Sequence, residues 1–346
     1  MQSIKRTTIK DVAKMANVSP STVSRVISNS PRISEETAKR VKDCMNELGY
    51  YPNAIARSLA SSVSNTIGLI MPVRPGETLL NPFFQEALRG IVRGATVFSY
   101  DVLLATFQGG EDEIDSMKKL ISASKIDGVI LMTSRVNDKA IKYLKEINFP
   151  FCVIGSPLND MEIFNHVDND NIIASYELTK HLIDEGKKKI SIIAGDKNMI
   201  ATVHRIKGYE KALIEAQYRI DENLIYTGDF DEKTGYTYAK YLFDNKINPD
   251  AILATDDLVA FGVVRYLLEK DIKIPEEVAV ASFNNSILSR QFQISITSVD
   301  IHADTLGEEA VKILIEYINE GKVKRKIVPH TIHIRKSSLS RSSRLK

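Results

Sequence analysis

The chain has 346 residues, 43% of them hydrophobic and 26% charged, with two cysteines and no Trp. At about 100–200 residues per domain this is more than one domain with enough apolar material for full cores. A disordered chain, a collagen and a disulfide-stapled mini-protein are therefore excluded. Cys44 and Cys152 fit no metal-ligand spacing and read as two buried, reduced thiols. No apolar run reaches the length of a bilayer span. The opening run MQSIKRTTIKDVAKMA has basic residues but lacks the apolar stretch of a secretory signal, so a soluble, cytoplasmic protein without membrane contact is expected. The net charge of +2 hides an asymmetry. Residues 1–61 hold ten Lys and Arg against five Asp and Glu, residues 62–334 hold 31 against 39, and residues 335–346 add five positive charges and no negative one. A basic head on an acidic body points to a polyanion partner for the head, although a merely solvated basic surface has the same composition.

In chain order, Thr8 is positioned to cap a helix over Ile9–Met15, followed by a break at Ala16-Asn17-Val18. Ser19 caps a second helix with Pro20 at its first position, where the missing N–H costs nothing, running through Val23 and Val26 to about Ser28. Ser34 caps a third helix. Glu35 and Glu36 sit favourably against its dipole, Ala38, Val41, Met45 and Leu48 keep helical spacing, and Gly49 ends it. A polar stretch, Ser58 to Asn65, separates this head from the body. The body then alternates helix-length amphipathic segments with apolar runs at 67–71, 102–107, 128–132, 151–154, 190–194, 224–226, 251–254 and 278–281. Each run is apolar on both faces, as a parallel strand covered on both sides by helices must be. Eight such units exceed one open sheet. The fold class expected is an all-α helix-turn-helix head plus an α/β body of two doubly wound, parallel-sheet lobes, splitting near Phe164–Asp168.

Two helices joined by a short turn, the second opening on Ser-Pro-Ser-Thr, describe a helix-turn-helix whose second helix enters the major groove. Ser21, Thr22 and Arg25 lie near its leading end; the guanidinium can pair bidentately with guanine and hydroxyls adapt as donors or acceptors. Val23 and Val26 should face away and pack on Val12 and Ala13. An ordinary three-helix bundle is the alternative.

The run from Thr8 to Ile27, TIKDVAKMANVSPSTVSRVI, and the run from Leu48 to Ala60, LGYYPNAIARSLA, together resemble the DNA-binding head of the LacI/GalR family of bacterial repressors. The likeness covers almost the whole chain, because the body follows the family's plan too. It implies a head at 1–61 with a hinge helix at about 53–60, a linker at 62–66, and an effector-binding and dimerisation body at 67–336. Within that body it implies a first lobe of about 67–165 and 296–322, a second of about 166–295 and 323–336, and a basic tail at 337–346. It also implies DNA contacts from Thr8, Ser19, Ser21, Thr22, Ser24 and Arg25, and from Asn53, Ala56, Arg57 and Leu59 of the hinge. Leu59 corresponds to a leucine that in relatives wedges into the minor groove at the operator centre. An apolar wedge that unstacks a base step kinks the duplex, and so short a helix is not stable alone in water. Without the family, Leu59 reads as a packing residue.

The body resembles the periplasmic sugar-binding proteins, and in open α/β sheets ligands bind at the carboxyl ends of strands. Asn81-Pro82-Phe83-Phe84 is similar to the segment that stacks on the sugar in ribose-binding relatives. The resemblance assigns effector contacts to Asn81, Phe83 and Phe84, to Arg205, to a second stacking ring at Phe230, to Asp256, and to Asn284. For Arg205 and Asp256 the alternative is a salt bridge between lobes. Asn284 departs from the family's usual carboxylate, and Ile301 stands where several relatives have Gln, so that side of the pocket should be more apolar. The six histidines form no metal spacing, and no P-loop, nucleophile elbow or G-x-G-x-x-G accompanies a strand, so no cofactor, metal or catalytic residue is assigned.

A solute-binding protein for a transporter and an enzyme on the same scaffold are the competing classes; the helix-turn-helix and the lack of a secretory signal oppose the first, and the lack of those catalytic motifs opposes the second. The expected function is a DNA-binding repressor, not an enzyme. It would bind a pseudo-palindromic double-stranded operator as a homodimer, under allosteric control of a small sugar. Within the family the chain looks most like the maltose-operon repressors of Gram-positive bacteria, which implies maltose or a maltodextrin as effector. The alternative is a catabolite-control regulator using a phosphorylated carrier protein as corepressor.

Overall fold

The structure, a computed structural model, describes residues 7–27, 30–50, 63–71, 79–105, 113–158 and 163–339. The chain divides into two compact units, residues 1–64 and 65–346. The boundary falls inside the expected 62–66 linker, whose last residue, Thr66, is already a strand residue paired with Asp101. Among the described residues no helix is long and apolar enough to cross a membrane.

The first unit contains three helices, α1 (Ile9–Met15), α2 (Pro20–Ile27) and α3 (Glu35–Glu47). Each begins where a short polar side chain takes up backbone donors. Asp11 Oδ2 accepts from the Thr8 N–H (2.8 Å) and hydroxyl (2.7 Å), Ser19 Oγ from the Thr22 N–H (3.1 Å), and Ser34 Oγ from the Thr37 N–H (3.3 Å). Val12, Ala13 and Ala16 meet Val23, Val26 and Val41 in one buried cluster, as the 3.6-residue spacing requires. Asn17, in the left-handed region at φ 51°, reverses the chain between α1 and α2. Cys44, read as buried, is only half-buried, because α3 covers the small core with one side; Cys152 is fully buried and both thiols are free.

In the second unit, strands β1 (Thr66–Ile70), β2 (Asp101–Ala105), β3 (Gly128–Leu131), β4 (Phe151–Ile154), β5 (His166–Asp168) and β11 (Arg325–Ile327) form a sheet ordered β11-β5-β4-β3-β1-β2. Strands β6 (Ile190–Ala194), β7 (Ile225–Thr227), β8 (Ala251–Ala254), β9 (Ala279–Phe283), β10 (Thr297–Asp300) and β12 (Thr331–His333) form another, ordered β12-β10-β9-β8-β6-β7. All pairs are parallel except β10 with β12. Helices pack in pairs around the sheets. The pair Pro82–Val97 and Ala303–Glu320 crosses so closely that a Cβ on Gly90 would lie 1.8 Å from the Asp304 carbonyl oxygen.

The expected lobe boundaries need correction. β5 pairs with β4 (Val153 with His166), so the first lobe continues through Asp168 rather than ending at 165. β10 pairs with β9, so the second lobe reaches Asp300, not 295. The helix 303–320 and β11 belong to the first lobe and β12 to the second. The chain thus passes between lobes three times, near residues 169, 301 and 328. Asn169 ties these passages together, its Nδ2 donating to the Ile301 carbonyl (3.1 Å) and the Val328 carbonyl (2.8 Å). Nor is 337 the start of a free tail. Ser337 and Ser338 are fully buried, and Ser337 Oγ accepts the Thr297 N–H at 2.8 Å.

Candidate functional site

The head presents its candidate nucleic-acid face at the start of α2. Ser19 Oγ lies 2.7 Å from Ser21 Oγ and 2.9 Å from Thr22 Oγ1, which gathers three hydroxyls at the leading end of the helix. Ser19, Ser21, Ser24 and Arg25 are exposed, as is Thr8 at the start of α1, while Thr22 is half-buried. Val23 and Val26 turn inward. Amphipathicity alone divides α2 into a core face and a polar face whose groups can reach base edges and phosphates. Asn53, Ala56, Arg57 and Leu59 lie outside the described residues.

In the body, Asn81, Phe83, Phe84, Arg205, Phe230, Asp256 and Asn284 all line one cavity of about 100 Å³ between the lobes. Local geometry explains each position. Asn81 caps the helix 82–97, accepting the Phe83 N–H at 2.9 Å, and its Nδ2 crosses the cleft to Asp256 Oδ2 at 2.9 Å. Phe83 and Phe84 present an edge-to-face pair, with centroids 5.0 Å apart at 73°. The Phe230 ring lies against Gly195, where a Cβ would come within 2.0 Å of it. Asp256 caps the helix Asp257–Glu269 through Leu258 N–H (2.7 Å) and also accepts Asn284 Nδ2 at 2.8 Å. Asn284 and Asn285 follow β9 at φ 94° and 47°, conformations that asparagine tolerates better than most residues.

Electrostatics mark the site. Burial pushes the Asp256 carboxyl up to about 7, against the pull of the Asn81 amide. The Arg205 guanidinium is pushed down to about 10 by burial, with Asp168 and Asp256 opposing, so it stays charged at neutral pH. It donates from Nε to Asn171 Oδ1 (2.8 Å) and from Nη1 to the Thr255 carbonyl (2.7 Å), and lies 4.2 Å over the Phe283 ring. The salt bridge weighed for Arg205 and Asp256 is thus replaced by amide and carbonyl partners on each side. Burial also pushes the Asp168 carboxyl up, although it accepts the Ser156 N–H (2.9 Å), the Asn169 N–H (2.8 Å) and Asn171 Nδ2 (3.0 Å).

Ile301 lines the cavity, as expected from its apolar character. Sequence reasoning missed Ser134, Asp168, Asn169, Asn171 and Met199, which line it as well. The rule about carboxyl ends of strands would have found Asp168 and Asn171, had the three-residue β5 been recognised. Two backbone bonds bring the lobes together beside the cavity, Val136 N–H to the Asn198 carbonyl (2.8 Å) and Ile200 N–H to the Ser134 carbonyl (3.1 Å).

A helix-turn-helix unit joined to a two-lobed α/β unit that closes on a polar and aromatic cavity defines a ligand-responsive DNA-binding regulator. Residues 8–53 match the family described as bacterial regulatory proteins, lacI family, and residues 64–336 match periplasmic binding proteins and the sugar binding domain of the LacI family. The chain belongs to the LacI family of DNA-binding transcriptional regulators, a family of regulators rather than enzymes. It is 37% identical over 321 residues to the HTH-type transcriptional regulator MalR of Streptococcus pneumoniae serotype 4, covering 92% of this chain and 95% of that one. It is 35% identical over 336 residues to MalR of Staphylococcus xylosus, covering 96% and 98%. A solved complex of the transcriptional regulator CelR with cellobiose superposes with a TM-score of 0.74 at 30% identity, over 96% of this chain and 100% of that one. A lac repressor dimer bound to operator and an anti-inducer shares the fold, with a TM-score of 0.83 at 22% identity over 97% and 100%.

Proposed function

We propose that the chain represses a sugar-utilisation operon, binding a pseudo-palindromic operator as a homodimer and releasing it when maltose or a maltodextrin occupies the cleft between the lobes. One observation carries the reading: seven residues from five separate stretches of sequence line a single interlobe cavity. The MalR relatives and the cellobiose complex of CelR favour a disaccharide-sized sugar.

In this reading Thr8, Ser19, Ser21, Thr22, Ser24 and Arg25 meet the operator, with Arg25 reading a base pair. Asn53, Ala56, Arg57 and Leu59 serve as the hinge, Leu59 acting as the minor-groove wedge. Phe83, Phe84 and Phe230 stack on the sugar, while Arg205, Asp256, Asn284 and Asn81 bind its hydroxyls. A cavity of about 100 Å³ is smaller than the roughly 300–1,000 Å³ typical of ligand pockets, so a disaccharide enters only after the lobes part and the Asn81–Asp256 bond breaks. The sugar shifts the operator equilibrium by its differential affinity for the two arrangements and by nothing else. A dimer sets two recognition helices about one turn of DNA apart.

The test is operator binding at fixed salt, titrated with maltose and maltotriose. Release of the operator is the expected result, and Arg205→Met should abolish it while leaving sugar-free operator binding in place. Unaltered operator binding with both sugars removes the maltose assignment. A second reading has support in the 30% identity over 334 residues to catabolite control protein A of Priestia megaterium. It predicts operator binding strengthened by a phosphorylated carrier protein, and the same assay with that protein in place of sugar decides it.

A further inference from the structure

The second sheet ends on β7, an edge strand that leaves Tyr226 exposed. The Tyr226 ring stacks on Tyr238 (4.2 Å between centroids, 16° between planes), and Tyr238 on Tyr241 (5.7 Å, 17°). Three near-parallel rings therefore come from a strand and from one face of the helix Glu232–Asp244, where a spacing of three brings Tyr238 and Tyr241 together. The platform is pinned: the Tyr238 hydroxyl donates to the Asn223 carbonyl at 2.7 Å. With Glu222, Asn223 and Thr237 the rings line a surface pocket of about 370 Å³, several times the volume of the interlobe cavity. Tyr241 keeps 48% of its surface in water. Neither the operator face nor the cleft uses any of these residues.

The lining chemistry selects the ligand. Aromatic faces sit beside a carboxylate, an amide and a hydroxyl, and no Lys, Arg or His is among the described lining residues. A phosphate or nucleotide would meet Glu222 without a counter-charge, and a purely apolar ligand would dehydrate that carboxylate without replacing its hydrogen bonds. A pyranose suits both parts: its C–H face lies on a tyrosine ring while its hydroxyls donate to Glu222 and Asn223. We propose that the Tyr226–Tyr238–Tyr241 pocket is a second saccharide site, separate from the interlobe cleft, that takes a neutral glycan chain. It does not depend on which effector the cleft binds.

Native affinity electrophoresis of the full chain tests this, in gels cast with soluble starch, with hydroxyethyl cellulose, or with neither. At least one polysaccharide should retard the protein. Tyr241→Ala should weaken that retardation about tenfold, about the loss of one well-stacked ring. Tyr241→Phe, which keeps the ring, should retain most of it. Both variants should keep wild-type operator affinity, since Tyr241 lies outside the operator face, and Tyr241→Ala should still unfold in one cooperative transition, its melting temperature lowered only by the lost contact with Tyr238. Absence of retardation by either polysaccharide overturns the proposal, and so does retardation that Tyr241→Ala leaves intact, which would place chain ends in the cleft. Slow migration that rises with protein concentration in the gel without polysaccharide, and that Tyr241→Ala abolishes, also overturns it, assigning the edge strand and its tyrosines to self-association. If maltose fails to release the operator while Tyr241-dependent retardation persists, the maltose reading falls and the pocket stands. The reverse pattern separates them the other way.

Discussion

Asp256 offers the sharpest test of the cleft geometry, through pH. Burial raises its carboxyl from 3.8 to about 7, so the folded body holds a proton between those values that the unfolded chain has released. The sign follows directly. This contribution to stability is complete below about pH 4, declines as pH rises, and is gone above about pH 7. A shift of this size corresponds to about 4 kcal/mol across the whole window, with a limiting slope of about 1.4 kcal/mol per pH unit. Neighbouring groups titrate as well: burial pushes Asp168 and Asp257 up and His204 down, and Arg205 stays charged. Comparison with Asp256→Asn cancels most of their share. The assay is urea unfolding of both proteins between pH 5 and 8, followed by far-UV circular dichroism because the chain has no Trp. The wild type's unfolding free energy, measured relative to the variant, should fall by about 1 kcal/mol per pH unit up to pH 6.5 and level off above 7.5. A difference that stays constant with pH, or grows as pH rises, refutes the dominance of burial over the three N–H donors at Asp256. Parting the lobes rehydrates Asp256 and lets it ionise, so raising pH should also favour the open cleft.

Three other substitutions probe separate parts of the molecule. Arg25→Ala should cost about 1–3 kcal/mol of operator affinity and relax preference at one base pair, read from mobility shifts on single-base operator variants; equal weakening on every sequence would assign Arg25 to phosphate instead. Gly90→Ala forces a methyl to within 1.8 Å of the Asp304 carbonyl and should destabilise the body by at least about 1–3 kcal/mol, so an unchanged urea midpoint would contradict the helix crossing. Asn284→Asp puts a second carboxylate where an amide now donates to Asp256 at 2.8 Å. Two such groups share a proton, so stability should fall by about 1–3 kcal/mol at pH 8 and much less at pH 5.5; equal losses at both would argue against the pairing.

Much of the local structure was legible in the sequence because its causes are local. Asp11, Ser19 and Ser34 take up N-terminal backbone donors within three residues, and the spacing of Val12, Val23, Val26 and Val41 fixes which helix faces are buried. Six of the eight Val/Ile/Leu-rich runs are strands buried on both faces, and the other two, at 102–107 and 224–226, fall on the partly covered edge strands β2 and β7. The strands that escaped notice are short and polar: His166–Asp168, Thr297–Asp300 and Arg325–Ile327. Their partners, not their own composition, make them strands. Missing them misplaced each lobe boundary and hid Asp168 and Asn171, although the seven cleft residues suggested by family resemblance still converged.

The sequence by itself thus determined the helix ends, the core faces and the alternation of strand with helix, since each depends on residues a few positions apart. Tertiary structure alone decided how the chain passes three times between lobes, and Asn169 can staple Ile301 and Val328 only once those passages lie side by side. It also decided that Asn81 reaches Asp256, 175 residues away, and that Asn284 turns to the same oxygen. Such pairings are set by sheet order and helix crossings, which bury groups from distant segments together, and no local periodicity encodes them.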